Sequence, residues 1–112
     1  MAEPDTPLPG QLVIDRTIDG DAVTLVLRGE LDLTSASLFE QALVEAESSQ
    51  PQKVIIDLSG LEFMDSTGLR ALLIARERAQ ETGHGLALRR GPRQVQRVLE
   101  LTKTLDAFQF ED

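Results

Sequence analysis

The spacing at which hydrophobic residues recur changes several times along this chain, and these changes limit the folds that it can adopt. On either side of Asp19-Gly20, apolar and polar residues alternate, which predicts two antiparallel strands joined by a tight turn; we expect the second strand to stop near Gly29. From Thr34 to Ala46 the apolar residues recur at helical spacing. The run Lys53–Leu58 is apolar on both faces, as expected of a central strand.

The same alternation continues to the end of the chain. A helix is predicted over Thr67–Thr82, and Gly83 is a good residue to end it. A short strand over Leu86–Leu88 follows, then a helix opened by Gly91-Pro92 and a last strand or tail over Leu105–Phe110. The order β-β-α-β-α-β-α-β predicts an α/β fold, with helices packed on a mainly parallel sheet and an antiparallel hairpin at its start.

Length, charge and composition exclude several classes of protein. A chain of 112 residues forms one domain, which we place at residues 11–112, after an acidic, proline-rich lead at residues 1–10 that we expect to be disordered. The net charge of −8 disfavours direct binding to nucleic acids or anionic membranes. The chain has no cysteine, no signal peptide and no apolar run long enough to cross a bilayer, so we expect a cytoplasmic protein.

The stretch LEFMDSTGLRALL, from Leu61 to Leu73, places Ser66 where a loop after the central strand meets the next helix. Asp, Ser and Thr are common helix N-caps, so the stretch is explained by capping alone. The alternative is a phosphoacceptor, because the unpaired amides and partial positive charge of a helix N-terminus stabilise a phosphate. Spacing by itself favours the cap.

Carboxylates are expected around this serine, at the edge of the sheet where the strands end. They are Glu62, Asp65, Asp57 near the end of its strand, and Asp32 in the preceding loop. A phosphoserine adds about −1.5 to −2 charges. Phosphate would thus be tolerated by its own helix but refused by a partner surface that fits the uncharged hydroxyl.

Three segments in order carry a family resemblance: GELDLTSASLFEQAL, VIIDLSGLEFMDSTGLRALL, and the C-terminal helix and tail. Together they resemble the STAS domain of anti-sigma factor antagonists, and D-S-T-G-L is the most specific part. The resemblance implies a STAS-like domain with helices mainly on one face of the sheet. It also implies a non-enzymatic protein that has no cofactor and is a monomer when free.

The resemblance further implies a partner switch. In that family the unphosphorylated antagonist binds an anti-sigma factor that is also a serine kinase, the sigma factor is released, and a PP2C-type phosphatase later restores the serine. By position, Ser66 is the phosphoacceptor with Thr67 as a secondary candidate, Asp65 flanks it, Gly68 gives close approach, and Asp32 is the acidic residue of the facing loop.

An apolar docking patch is also predicted beside Ser66. In the helix Thr67–Thr82, Ile74 falls among charged residues and is expected to point to solvent. With Leu69 or Leu73, if these are incompletely buried, it would form the apolar centre of a partner-binding surface. Single exposed apolar residues are nevertheless ordinary.

The sequence offers little support for a catalytic, nucleotide-binding or metal-binding site. His84 is the one histidine and is expected to be an exposed loop residue; no P-loop motif is present, and Asp32, Asp57 and Asp65 are better explained as solvated acids than as a metal site. Asp57 invites comparison with receiver domains, but the paired acids and lysine of those domains are not found, so we expect it to cap the turn before Ser59-Gly60. A basic group is expected to form a solvated face: Arg89, Arg90, Arg93, Arg97 and Lys103.

Two other functions stay open at this point. One is a STAS subunit that is not phosphorylated and acts as a structural partner in a transport complex. The other is a nucleotide-binding or phosphotransfer enzyme that uses the same edge of the sheet.

Overall fold

The computed structural model describes residues 7–111 of the chain. Of the predicted lead, residues 1–6 lie outside the described part. Pro9 and Gly10 form a turn, closed by a hydrogen bond from Gln11 N–H to Leu8 O (2.9 Å). Gly10 N–H also donates to Glu30 Oε2 at 2.6 Å, so this turn is attached to the second strand.

A four-stranded sheet forms the centre of the fold, with its strands in sequence order. Strand β1 is antiparallel to β2, and the β2–β3 and β3–β4 pairs are parallel. The strands are β1 (Leu12–Asp19), β2 (Ala22–Leu31), β3 (Lys53–Met64) and β4 (Gly85–Arg89). The prediction of an α/β fold with a mostly parallel sheet and an N-terminal hairpin is confirmed.

The helices cover one face of the sheet. They are α1 (Ala36–Ser48), α2 (Ser66–Thr82) and α3 (Arg93–Leu101). Register neighbours on the parallel strands β2, β3 and β4 share the covered face and belong to one buried cluster with residues of all three helices. The cluster includes Leu25, Ile56, Leu88, Leu43, Leu72 and Leu99. Helix α2 ends as predicted at Gly83, which has a left-handed conformation (φ 82°).

The predicted helix and the C-terminal segment take their detail from packing. Helix α1 buries Phe39, Leu43 and Ala46, and Leu38 is 45% exposed. Of the strand or tail predicted over Leu105–Phe110, the structure has a tail: Leu105–Ala107 is a 3₁₀ turn, and Phe110 forms a single bridge to Leu88 of β4.

The other face of the sheet carries ion pairs rather than helices. By register, Asp15, Arg28 and Asp57 lie on this face, and Arg28 pairs with Asp15. Lys53 pairs with Glu111, and Arg89 lies 3.8 Å from the Asp57 carboxylate. No helix packs on this face among the described residues, yet Thr24, Ile55 and Ala87 on it are buried among the long charged side chains.

Strand β3 is the largest departure from the predicted boundaries. It was expected to end at Leu58, with a loop before Ser66, but it continues to Met64 because β2 also continues to Leu31 and pairs with it. Gly29 was expected near the end of β2, yet the strand passes through it at φ 101°, which glycine tolerates. Two register shifts accommodate the extra length.

Candidate functional site

The ends of β2 and β3 meet at one edge of the sheet. Leu31 and Met64 are register neighbours, and Asp65 N–H donates to Leu31 O at 3.4 Å. Because β2 and β3 are parallel, α1 and α2 both begin from this edge. The edge therefore brings together the loop that contains Asp32 and the start of the helix that contains Ser66.

Asp65 caps helix α2. Its backbone is extended (φ −105°, ψ −170°), and its Oδ1 accepts a hydrogen bond from Gly68 N–H at 3.0 Å. Its carbonyl oxygen accepts the first helical bond, from Leu69 N–H at 3.0 Å. The capping function predicted for this stretch thus belongs to Asp65, and Ser66 is the first residue of the helix.

Ser66 is exposed at the helix start, and its side chain takes no part in the cap. Within residues 7–111, the amide groups of Ser66 and Thr67 find no acceptor, whereas Gly68 N–H is taken by Asp65. A phosphoryl group on Ser66 Oγ would lie beside these two donors and the positive end of the helix dipole. Thr67 is half-buried, which makes it the less accessible hydroxyl.

Gly68 and Leu69 do not lie on the surface where a partner would reach them. Leu69 is 6% exposed, and Gly68 is buried. A β-carbon on Gly68 would stand 2.3 Å from Leu31 O, so the close approach that this glycine permits is between α2 and β2 inside the molecule. Their predicted position in a partner-binding surface is corrected: Gly68 packs against the end of β2, and Leu69 belongs to the core.

The carboxylate of Asp32 is committed to its own loop. Its Oδ1 accepts hydrogen bonds from Thr34 Oγ1 (2.7 Å) and Thr34 N–H (3.0 Å). These bonds, led by that from the Thr34 hydroxyl, lower the pKa of Asp32 and keep it ionised. Ser35, buried, donates to Glu30 O at 2.8 Å and completes the loop. Asp32 therefore shapes the loop that faces Ser66.

The two remaining acids differ in position. Glu62 is exposed and lies two residues before the end of β3. Asp57 lies in the middle of β3, so its predicted position at the edge near Ser66 was wrong; the strand runs on for about 20 Å beyond it. Asp57 Oδ1 accepts from Ser59 N–H at 2.9 Å, but this bond lies within β3 beside a register shift, so the turn that Asp57 was expected to cap does not form.

A groove runs between α1 and α2, and we call it the α1–α2 groove. Its volume is about 330 Å³, and its floor includes the buried Phe39 and Leu43. Ile74 lines it and is 41% exposed, which confirms the predicted exposure. Leu33, 77% exposed, also lines the groove. Sequence reasoning missed Leu33 because the opposite wall of the groove comes from α2, more than thirty residues away.

His84 is not the exposed loop residue that was expected. Its side chain is 6% exposed, with Nε2 3.3 Å from Glu47 Oε2 and Nδ1 2.9 Å from Gly85 O. Arg78 Nε donates to Glu47 Oε1 at 3.0 Å. Burial alone would raise the pKa of Glu47, but the hydrogen bonds from Arg78 and His84 outweigh it, and the pKa lies below the usual value. This cluster joins α1, α2 and the start of β4.

The basic group is only in part a solvated face. Arg89 lies near Asp57 and Glu111, and the Arg90 guanidinium lies 4.5 Å above the centre of the Phe110 ring. Arg93, Arg97 and Lys103 are exposed. Among residues 7–111 no group of three or more His, Asp or Glu side chains is arranged to hold a metal ion. In the same part of the chain, no helix has the length and apolar character needed to cross a membrane.

Comparisons with known proteins agree with this fold. The family model described as "STAS domain" matches residues 13–112. The chain is 31% identical over 70 residues to anti-sigma-F factor antagonist RsfB of Mycobacterium tuberculosis, a match that spans 62% of this chain and only 57% of that relative. Among solved structures it resembles an anti-sigma factor antagonist from Mycobacterium paratuberculosis, with 25% identity and a TM-score of 0.80 over 98% of this chain and 89% of the other.

A more distant structure shares the fold alone. Unphosphorylated SpoIIAA of Bacillus, described as an anti-sigma factor antagonist, is 17% identical, with a TM-score of 0.73 over 91% of this chain and 89% of its own.

Proposed function

Because the chain belongs to the STAS domain family, we propose that it is a cytoplasmic anti-sigma factor antagonist switched by phosphorylation of Ser66. In this proposal the unphosphorylated protein binds a serine-kinase anti-sigma factor, which then releases its sigma factor. Phosphorylation ends the complex and returns the sigma factor to its inhibitor. The chain itself is not an enzyme and acts by binding.

One observation carries the proposal: Asp65 caps α2, so the neighbouring Ser66 hydroxyl is exposed and is not needed to cap the helix. A serine that caps its own helix would lose that bond on modification. Here phosphorylation costs the fold no hydrogen bond, and the two amides at the helix start are available to the phosphate. The fold therefore tolerates both states of the switch.

The chemical steps are transfer and hydrolysis of one phosphoryl group. The γ-phosphoryl group of ATP bound to the kinase passes to Ser66 Oγ, the bond to the β-phosphate oxygen breaks, the hydroxyl proton leaves to a base of the kinase, and ADP is released. A PP2C-type phosphatase would use water to cleave the new P–O bond, giving inorganic phosphate and the original serine.

Repulsion explains why the modified form would leave its partner. The phosphate adds about −1.5 to −2 charges next to Asp65 and near the exposed Glu62, in a chain whose net charge is already −8. An interface that fits a neutral hydroxyl would have to bury this charge without a counterion, which is unfavourable.

The test uses the purified chain with a candidate serine-kinase anti-sigma factor and Mg²⁺-ATP. We expect one phosphoryl group on wild type and on Thr67→Ala, and none on Ser66→Ala, with the site mapped by mass spectrometry. Binding measured by calorimetry should be tight for wild type and Ser66→Ala and weak for Ser66→Asp. Equal affinity of all three would contradict the switch.

Mapping phosphate on the protein from its own cells, in growing and stressed cultures, tests the same proposal in vivo. Occupancy of Ser66 that changes with conditions is expected. Complete peptide coverage without phosphate, with phosphatases blocked, would instead favour an unphosphorylated STAS subunit of a transport complex.

A further inference from the structure

One face of each helix lines the α1–α2 groove. Along α2 the lining residues are Thr67, Arg70, Ala71, Ile74 and Arg78, which are spaced so that they share one face of the helix. Along α1 the lining residues are Ala36, Ser37, Phe39, Glu40 and Leu43, which likewise share one face. Residues three and four apart on a helix are those that it presents to a neighbouring helix.

Only part of these two faces belongs to the core. Phe39 and Leu43 are buried on the floor of the groove, whereas Ile74 and Leu33 are exposed on its sides. Helix α2 packs inward mainly through other residues such as Leu72, which is fully buried. The two helices run in the same direction from one end of the sheet, and an apolar groove between two parallel helices can seat a third helix.

The dimensions of the groove limit what fits. From Thr67 to Arg78 a helix rises about 16 Å, which accommodates about three turns of a bound helix. Ala36 and Ala71 on opposite walls leave room for close approach. At the far end the Arg78–Glu47 ion pair joins the two helices, while the end near Thr67 opens beside Ser66.

The two walls carry opposite charges. Glu40 is exposed on α1 and Arg70 is exposed on α2, and both line the groove. A bound helix with a basic side chain toward α1 and an acidic side chain toward α2 would satisfy both walls.

We propose that the α1–α2 groove binds an amphipathic helix of the partner that contacts Ser66, with apolar side chains in the groove and opposite charges on its two flanks. The identity of that partner as a serine-kinase anti-sigma factor rests on the proposed function. Since Thr67 lines the groove and directly follows Ser66, one partner reaches both sites at once. The groove supplies affinity and selects the partner, and the serine controls release.

Affinity for the kinase tests the groove with a matched pair of variants. Ile74→Glu places a charge in the groove, whereas Val44→Glu places one on α1 outside it, at a similar exposed fraction (41% and 44%). We expect Ile74→Glu to weaken binding at least about tenfold and Val44→Glu to change it less than about threefold. Far-ultraviolet circular dichroism and urea denaturation check that both variants fold.

The outcomes separate this inference from the proposed function. Wild-type binding that is lost in Ser66→Asp but unchanged in Ile74→Glu overturns the groove and leaves the switch in place. No binding of wild type to any serine-kinase anti-sigma factor of the same cell overturns the proposed function, and the groove's partner with it.

Cross-linking identifies the occupant directly, because the chain has no native cysteine. A photoreactive group on Ser37→Cys, in the groove, should link to partner residues spaced three or four apart, and the same group on Gln41→Cys, outside it, should not. Links from Ser37→Cys to a loop or strand of the partner, or to a second copy of this chain, would overturn the helix as occupant.

Discussion

The carbonyl oxygen of Leu31 occupies the space that a side chain at Gly68 would need: a β-carbon there would stand 2.3 Å from that oxygen. It would also stand 2.8 Å from Met64 Cγ. The end of β2 and the first turn of α2 therefore touch through a glycine. This contact determines how close the N-terminus of α2, where Ser66 lies, comes to the end of β2.

We expect Gly68→Ala to destabilise the protein although alanine favours helices. The clash is with a backbone atom, so α2 must shift; overpacking costs about 1–3 kcal/mol and exceeds the gain of up to about 1 kcal/mol in helix propensity. Urea denaturation measures the difference. Gly85→Ala is the control, since its nearest neighbour would lie at 3.5 Å, an ordinary contact. Equal stability of wild type and Gly68→Ala would contradict the contact.

Two variants of Asp65 distinguish the effect of its capping hydrogen bond on stability from the effect of its charge. Asp65→Ala removes the acceptor of Gly68 N–H and should lower the free energy of unfolding by about 1 kcal/mol. Asp65→Asn keeps an acceptor oxygen and should cost much less. Both are read from urea midpoints. An asparagine variant as unstable as the alanine variant would show that the carboxylate charge, and not the cap, stabilises α2.

Negative charge should have opposite effects at two exposed serines. Ser66 begins α2, so Ser66→Asp should leave the melting temperature unchanged or raise it, because the helix N-terminus stabilises an anion. Ser48 ends α1, so a negative charge there opposes the helix dipole, and Ser48→Asp should lower stability by about 0.3–1 kcal/mol. The loss of the hydrogen bond from Ser48 Oγ to Glu45 O adds to this cost. Calorimetry at low salt distinguishes them, and destabilisation of Ser66→Asp would contradict a phosphate-tolerant helix start.

Stability should fall in acid through Glu47. Its pKa is lowered in the folded protein, so the unfolded chain binds more protons as the pH falls, and the stabilisation present above the ordinary value of 4.5 is lost below it. Glu47→Gln should be less stable near neutral pH and should lose less stability on acidification. Urea midpoints between neutral pH and about pH 3 provide the measurement.

Glu45→Gln is the control for that pH series, because Glu45 lies exposed on the same helix. It should keep the wild-type dependence on pH. If Glu45→Gln and Glu47→Gln flatten the curve equally, the ion pair with Arg78 does not contribute.

The elements were predictable because their signals are local. Alternation on both sides of Gly20 gave the hairpin, and the spacing within residues 67–82 gave α2 to within one residue. The continuation of β3 past Ser59-Gly60 was not predictable in this way, because it depends on pairing with β2, a strand distant in sequence. Reading Ser59-Gly60 as a loop also moved Asp57 to an edge that it does not occupy.

At the candidate site, residue types were easier to predict than their tasks. The sequence indicates a cap at Asp65, Ser66 or Thr67 but does not say which side chain bonds to Gly68 N–H. It likewise indicates a close approach at Gly68 but not that the approach is internal. The pairing of His84 with Glu47 depends on how α1 and β4 come together, which no local pattern contains.

The two edge strands of the sheet, β1 and β4, are protected from strand addition in different ways. The outer edge of β4 is covered by the C-terminal segment, where Leu88 N–H donates to Gln109 O and Leu88 O accepts from Glu111 N–H, each at 2.8 Å. The outer edge of β1 is lined by charged residues, including Asp15, Arg16 and Asp19. Charges on an open edge oppose strand addition by a neighbouring molecule. The covered edge and the charged edge thereby protect the protein from edge-to-edge aggregation.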